Sequence, residues 1–316
     1  MEIINKDMVL TDTETGLSTI VKKGSKIESP EDKEKKKQRM EDNWWLKQYT
    51  FDKKGAFFWT MYYPEEDYYP DVPDAMLARV MYLLTYMKYD SNILVMRDDS
   101  YSPYRPMTKD DVKDIMGVYQ NSFNSFWDEL MALNIITEDS KGNLVVSGKF
   151  KRGRLGKRDK QDMCAMKIFS HCVRYLYENT KTRSHKCLGY LYRLIPYINL
   201  RYNVFCLNPL ETRKDKIKWL TAKDMCAILG VDEHNEKRLV DMLFKIMFVD
   251  KNGDTRSVIK MLQDVKNGEV RRFITINPQF YSGYTVKRNE IDEIDVLMKE
   301  FLIDTEEEYV DAAQTS

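Results

Sequence analysis

Residues Met107–Asp139 read MTKDDVKDIMGVYQNSFNSFWDELMALNIITED, and Leu220–Asn252 read LTAKDMCAILGVDEHNEKRLVDMLFKIMFVDKN. Laid together without a gap, they agree at Thr108/Thr221, Asp111/Asp224, Ile115/Ile228, Gly117/Gly230, Val118/Val231, Asp128/Asp241 and Leu130/Leu243. Self-similarity of this kind decides the architecture before any single motif is weighed, because each copy has to be one structural unit. The likeness extends outward. Upstream, Leu83-x-x-Tyr86 with Asn92 matches Leu194-x-x-Tyr197 with Asn203; downstream, Ser147-Gly-Lys-Phe150 matches Asn277-Pro-Gln-Phe280.

Each copy explains itself physically. Thr108 and Thr221 stand where a helix N-cap belongs, and the carboxylates of Asp111 and Asp224 three residues on suit the exposed amides of a helix N-terminus. Val112, Ile115 and Met116 form one apolar face, as do Met225, Ile228 and Leu229, and Gly117 or Gly230 ends the helix in a left-handed turn. In the second helix Phe123, Phe126, Leu130 and Leu133 recur at three- and four-residue spacing and are expected to face the core. Ile135-Ile136, a polar turn from Ser140 to Asn143 and Leu144–Val146 then read as a hairpin. In the second copy both Asn252-Gly253 and Asn267-Gly268 signal hairpin turns, so its wing is expected to be the longer one. The predicted fold class is α+β, mostly helical, with tandem winged helix-turn-helix domains and small β-hairpin wings.

Outward from the repeats, residues 1–50 read as a small hairpin and a charged helical linker, with Val9-Leu10 and Leu17 to Val21 flanking a turn. Residues 51–155 hold the first winged-helix domain, 156–288 the second, and 289–316 an acidic amphipathic tail. The aromatic stretch from Trp44 to Tyr69 reads as core interrupted by a proline-rich loop, with a helix from Asp74 to Met87 after it. In the tail Ile291, Ile294, Leu297 or Met298, and Phe301 share one helical stripe, which suits docking on the chain itself or on a second copy, as a dimer.

Of 316 residues, 43% are hydrophobic and 32% charged, enough to build a core and too hydrophobic for disorder throughout. The net charge of zero conceals an asymmetry. From Glu290 onward ten acids face the single base Lys299, which leaves 49 bases and 40 acids before it. A basic body with an acidic appendage is the balance of a nucleic-acid binder. The start lacks a secretory signal and no 18-residue apolar stretch occurs, so the expected location is cytoplasmic, with no membrane partner. Cys164, Cys172, Cys187, Cys206 and Cys226 form no CxxC pair and are expected as reduced thiols.

LTAKDMCAILG at Leu220–Gly230 and FITINPQFYSG at Phe273–Gly283 resemble the helix-turn-helix start and wing strand of the winged-helix replication initiators and related DNA-binding proteins of plasmids and phages of Gram-positive bacteria. The resemblance covers about 77–153 and 188–284; the first copy departs from it with Ser147-Gly148 in place of asparagine-proline. It implies two winged helices gripping one origin DNA in a bacterial host, with host replication or transcription machinery as further partners.

Double-stranded DNA as partner also follows from the residues. Lys149–Lys160, KFKRGRLGKRDK, has seven bases and one acid, so Lys149, Lys151, Arg152, Arg154, Lys157, Arg158 and Lys160, with Arg271 and Arg272, are candidate phosphate contacts. Base reading calls for short polar side chains on the exposed face of the second helix, because that helix enters the major groove. The first copy offers Gln120, Asn121, Ser122, Asn124 and Ser125. The second offers His234, Asn235, Lys237 and Arg238, but adds Asp232, Glu233 and Glu236, which phosphates repel, so it serves either DNA or a protein interface. No catalytic residue, metal or cofactor is expected: the phosphate-loop pattern is missing, and Cys164, His171, Cys172, His185 and Cys187 match no zinc spacing. His171-Cys-Val-Arg174 is similar to the tyrosine-recombinase signature, but a whole second repeat follows it. A transcription regulator, an interaction protein that does not bind DNA and a recombinase stand as alternatives to the initiator.

Overall fold

The computed structural model describes residues 55–62, 72–156, 164–250, 252–266 and 269–282, and, of the first forty, 2–3, 7–11, 16, 18–23, 26–27, 30–38 and 40. Among these it is an α+β protein with eight helices and several small antiparallel sheets. It divides into two compact units, Met1–Asp52 and Lys53–Ser316.

In the first unit Glu2–Ile3 (β1) pairs with Lys26–Ile27 (β4), and Met8–Thr11 (β2) with Ser18–Val21 (β3), both antiparallel. The hairpin expected around Val9 and Ile20 is therefore β2–β3. A helix at 30–38 (α1) exposes most of its side chains. Trp44, Trp45, Tyr49, Tyr63, Tyr68 and Tyr69 lie outside the described residues, as does the whole tail from 283.

The second unit is organised on Phe57–Tyr62 (β5) and the helix Asp74–Leu84 (α2). Eight of the eleven α2 residues are buried, so the helix runs through the core rather than along its surface. Val95–Met96 (β6) and Arg105–Pro106 (β7) form a short ladder before Lys109–Met116 (α3) and Gln120–Ala132 (α4). Ile136–Glu138 (β8) and Leu144–Val146 (β9) make a hairpin, followed by Phe150–Lys151 (β10). The second copy opens with Cys164–Phe169 (β11), Ser170–Asn179 (α5) and His185–Arg193 (α6), then Ala222–Leu229 (α7) and Glu236–Phe244 (α8). Met247–Val249 (β12), Thr255–Ser257 (β13), Ile259–Lys266 (β14), Glu269–Ile276 (β15) and Tyr281–Ser282 (β16) close it.

The copies share one sheet. Its order is β10-β5-β11-β16, with β5 and β11 paired antiparallel from Tyr62↔Cys164 to Phe57↔Phe169 and each copy's last strand on the outside. One hydrophobic core runs from Phe58 to Tyr281 across both copies. The matching helices α2 and α6 lie against each other, and Gly189 makes this possible: a Cβ there would stand 2.0 Å from the Asp74 carbonyl oxygen. Arg193 closes the same contact by bonding the Asp74 carboxylate and the Val72 carbonyl. Asn92 (φ 55°) and Asn203 (φ 54°) adopt the same left-handed conformation and donate to equivalent strands, at the carbonyls of Phe150 (2.6 Å) and Tyr281 (3.3 Å).

Three expectations need correction. The gapless alignment holds through Leu130/Leu243 but not beyond, because Ile135 and Ile246 occupy the same place: each carbonyl accepts from the residue that leaves the hairpin, Ser147 or Val258. The second copy is two residues shorter there. Leu133, expected in the core, follows the end of α4 and is 38% exposed, while Trp127 is buried in its stead. The hairpin after α8 is not longer than its counterpart, since β12–β13 has three residues per strand, as β8–β9 has. The extra residues form a separate hairpin, β14–β15. In the first copy Val146 pairs with Ile136 on one side and donates to the Asn92 carbonyl on the other; in the second, Ser257 pairs with Met247 while Ile276 donates to Asn203. The insertion thus divides between two hairpins the work of one strand.

Candidate functional site

The helices that precede the candidate residues, α3 and α7, are built identically at their starts. Thr108 Oγ1 accepts from the Asp111 amide and Asp111 Oδ2 from the Thr108 amide; Thr221 and Asp224 repeat both bonds. Gly117 and Gly230 each end their helix at φ 61°. In the first copy Arg105 adds a bidentate ion pair to Asp111, at 2.7 and 2.9 Å, and this guanidinium, outweighing burial, holds the Asp111 carboxyl well below the usual carboxylate range.

This scaffold presents α4. Phe123, Phe126, Trp127 and Leu130 anchor one face in the core, leaving Gln120, Asn121, Ser122, Asn124 and Ser125 exposed on the other. Gln120 Nε2 donates to Asn124 Oδ1 at 2.9 Å, which aligns two amides along the exposed surface. Tyr119, absent from the sequence-based set, is 91% exposed at the N-cap and makes no capping bond. The signal was available: a tyrosine stands where a capping oxygen is preferred and where the second copy has Asp232.

In the second copy Asp232 caps the His234 amide at 2.8 Å and a single 3-10 turn, Glu233–Asn235, precedes α8. His234, Asn235, Lys237 and Arg238 are exposed, whereas Glu236, at the place of Phe123, is half-buried. Lys223 is ion-paired with Glu233, which raises its pKa. The shorter α8 offers cations rather than amides.

The basic segment divides by orientation. Lys149 and Arg154 are exposed and Lys151 is partly so, on or beside the edge strand β10. Arg152 turns inward: its Nη1 donates to the Met87 carbonyl at 2.6 Å, and burial lowers its pKa. The backbone around it is clamped, with the Arg154 amide on Asp90 Oδ1 at 2.9 Å and Trp59 Nε1 on the Gly153 carbonyl at 3.0 Å. Lys157, Arg158 and Lys160 lie outside the described residues, as does the Arg271 side chain; Arg272 is exposed on β15. The structure thus brings the five polar residues together on α4 and puts the cations on other elements.

No known protein family, curated protein or solved structure matches this chain. The recombinase-like pair separates: His171 Nε2 meets the Val249 carbonyl, while Arg174 donates to Thr85 Oγ1 and lies over the Tyr86 ring. The five free cysteines are buried, with the Cys172 and Cys187 thiols donating to the Gln279 and Met242 carbonyls, and burial pushes Cys187 up to about 12. Among the described residues no group of three potential ligands could hold a metal ion, and no helix is long and apolar enough to cross a membrane.

Proposed function

We propose that the two repeated units are winged helices, that they bind double-stranded DNA, and that the chain recognises the repeats of a phage or plasmid replication origin without catalytic chemistry. The observation that carries this reading is α4: a capped helix and a left-handed glycine present a second helix whose buried face is aromatic and whose exposed face consists of amides and hydroxyls. Such side chains are the ones that pair with base edges, Asn and Gln bidentately with adenine. Tyr119, at the head of the same helix, offers a phenol to phosphate or sugar. Lys149, Lys151 and Arg154 supply sequence-independent charge, with Lys157, Arg158, Lys160, Arg271 and Arg272 as further candidates. Arg152 is excluded from that set because its guanidinium serves the fold.

Titration of specific and random duplexes over a salt series tests the reading. Replacing Lys149, Lys151 and Arg154 with alanine removes about three phosphate contacts, so the slope of log affinity against log salt should flatten by roughly 2.7. An unchanged slope would refute the phosphate role. Asn121→Ala and Asn124→Ala should each lose about 1–3 kcal/mol of discrimination between the two DNAs while leaving random-duplex binding in place. Equal losses on both would show that α4 only positions the backbone.

A further inference from the structure

A groove of about 1070 Å³ runs between α8 and the α5–α6 pair. Its floor is apolar, with Leu176, Cys187 and Ile246 buried and Met242 and Met247 half-buried. Its rim is cationic: Arg183, Lys186, Lys237, Arg238 and Lys245 are all exposed, against one acid, Asp241. Among the described residues Arg183, Lys237, Arg238 and Lys245 have no carboxylate partner. Five like charges around an apolar floor repel one another and leave that floor wet, so the surface fits an occupant that is both acidic and amphipathic.

The chain carries such a segment. Between Glu290 and Asp311 it has ten acids and one base, and Ile291, Ile294, Leu297 and Phe301 recur at helical spacing. We propose that residues 290–311 bind in this groove of their own chain, apolar stripe on the floor and carboxylates on the rim. Reach permits it. The described chain ends at Ser282 beside Lys167, and β11 leads directly into α5, whose far end lines the groove. Ten helical residues span about 15 Å, and the nine residues from Ser282 to Ile291 extend to about 30 Å. Binding of the segment does not depend on the DNA reading. Where that reading also holds, segment and DNA compete for Lys237 and Arg238, so the segment restrains the second copy.

Full-length protein with a photoreactive benzophenone amino acid in place of Ile294, irradiated at low salt without DNA, tests the proposal. Cross-links should map by mass spectrometry to 176–190 or 236–247, and a mixture of isotopically light and heavy protein should yield no mixed species. Lys237→Glu with Arg238→Glu should lower the yield about tenfold, and the milder Lys237→Gln with Arg238→Gln should lower it less. Cross-links elsewhere, cross-links between copies, or a yield indifferent to both pairs would overturn the proposal. If the charge reversals abolish duplex binding while cross-links map outside the groove, the groove serves DNA alone, and the segment proposal falls without the DNA reading.

Discussion

Gly189→Ala should destabilise the protein by about 3 kcal/mol, at the upper end of what overpacking costs. In an exposed helix the same change would stabilise by up to about 1 kcal/mol, since alanine is the better helix former. Here the new methyl would lie 2.0 Å from the Asp74 carbonyl oxygen, and backbone cannot rotate away as a side chain can. The helices α2 and α6 would have to separate, loosening the bonds from Arg193 to Asp74 and Val72 and opening the core that both copies share. The urea midpoint should fall at constant m-value. An unchanged midpoint would mean that the two helices are not in such close approach.

That contact shows what the sequence could and could not convey. Both capping boxes, both left-handed glycines and both short hairpins were readable, because each rests on residues within a few positions of one another: Thr108 with Asp111, Gly117 with the helix before it, Asp139 with Asn143. Pairing across the repeat was not readable. Nothing local says that β5 and β11 lie side by side, or that Gly189 meets Asp74, more than a hundred residues away. The two-residue shortening after α8 was masked because Met247, Phe248 and Val249 are apolar in any register. The inserted hairpin was read as a longer wing because Asn252-Gly253 and Asn267-Gly268 give the same local signal.

The candidate site divides along the same line. The exposed amides and hydroxyls of α4 followed from helical periodicity, and the structure places all five residues together. Arg152 could not be told from its neighbours, since a guanidinium that donates to Met87 and one that faces solvent look alike in KFKRGR. Only the close approach of the chain at Asp90 and Gly153 turns it inward.

Arg256→Met should cost about 3–5 kcal/mol, the loss expected when one partner of a buried ion pair is removed. Arg256 Nε lies 2.8 Å from Asp250 Oδ2, with the side chains 10% and 5% exposed. Asp250 also shapes the turn between β12 and β13, its Oδ1 accepting the amides of Asn252 and Asp254 at 2.8 and 3.1 Å. Burial alone would raise its pKa, but these amides and the guanidinium outweigh it and hold the carboxyl below the usual range. A depressed folded-state pKa contributes stability that is present above the unfolded value, near 3.9, and is lost as pH falls through the folded value. The stability gap between the wild type and Asp250→Asn should therefore be constant from neutral pH down to about 4 and close below it. With Arg256→Met as background the gap should shrink at neutral pH, because both changes remove the same bond. Urea midpoints of the four proteins between pH 7 and 3 measure this, and strictly additive losses would show that the pair does not act as one.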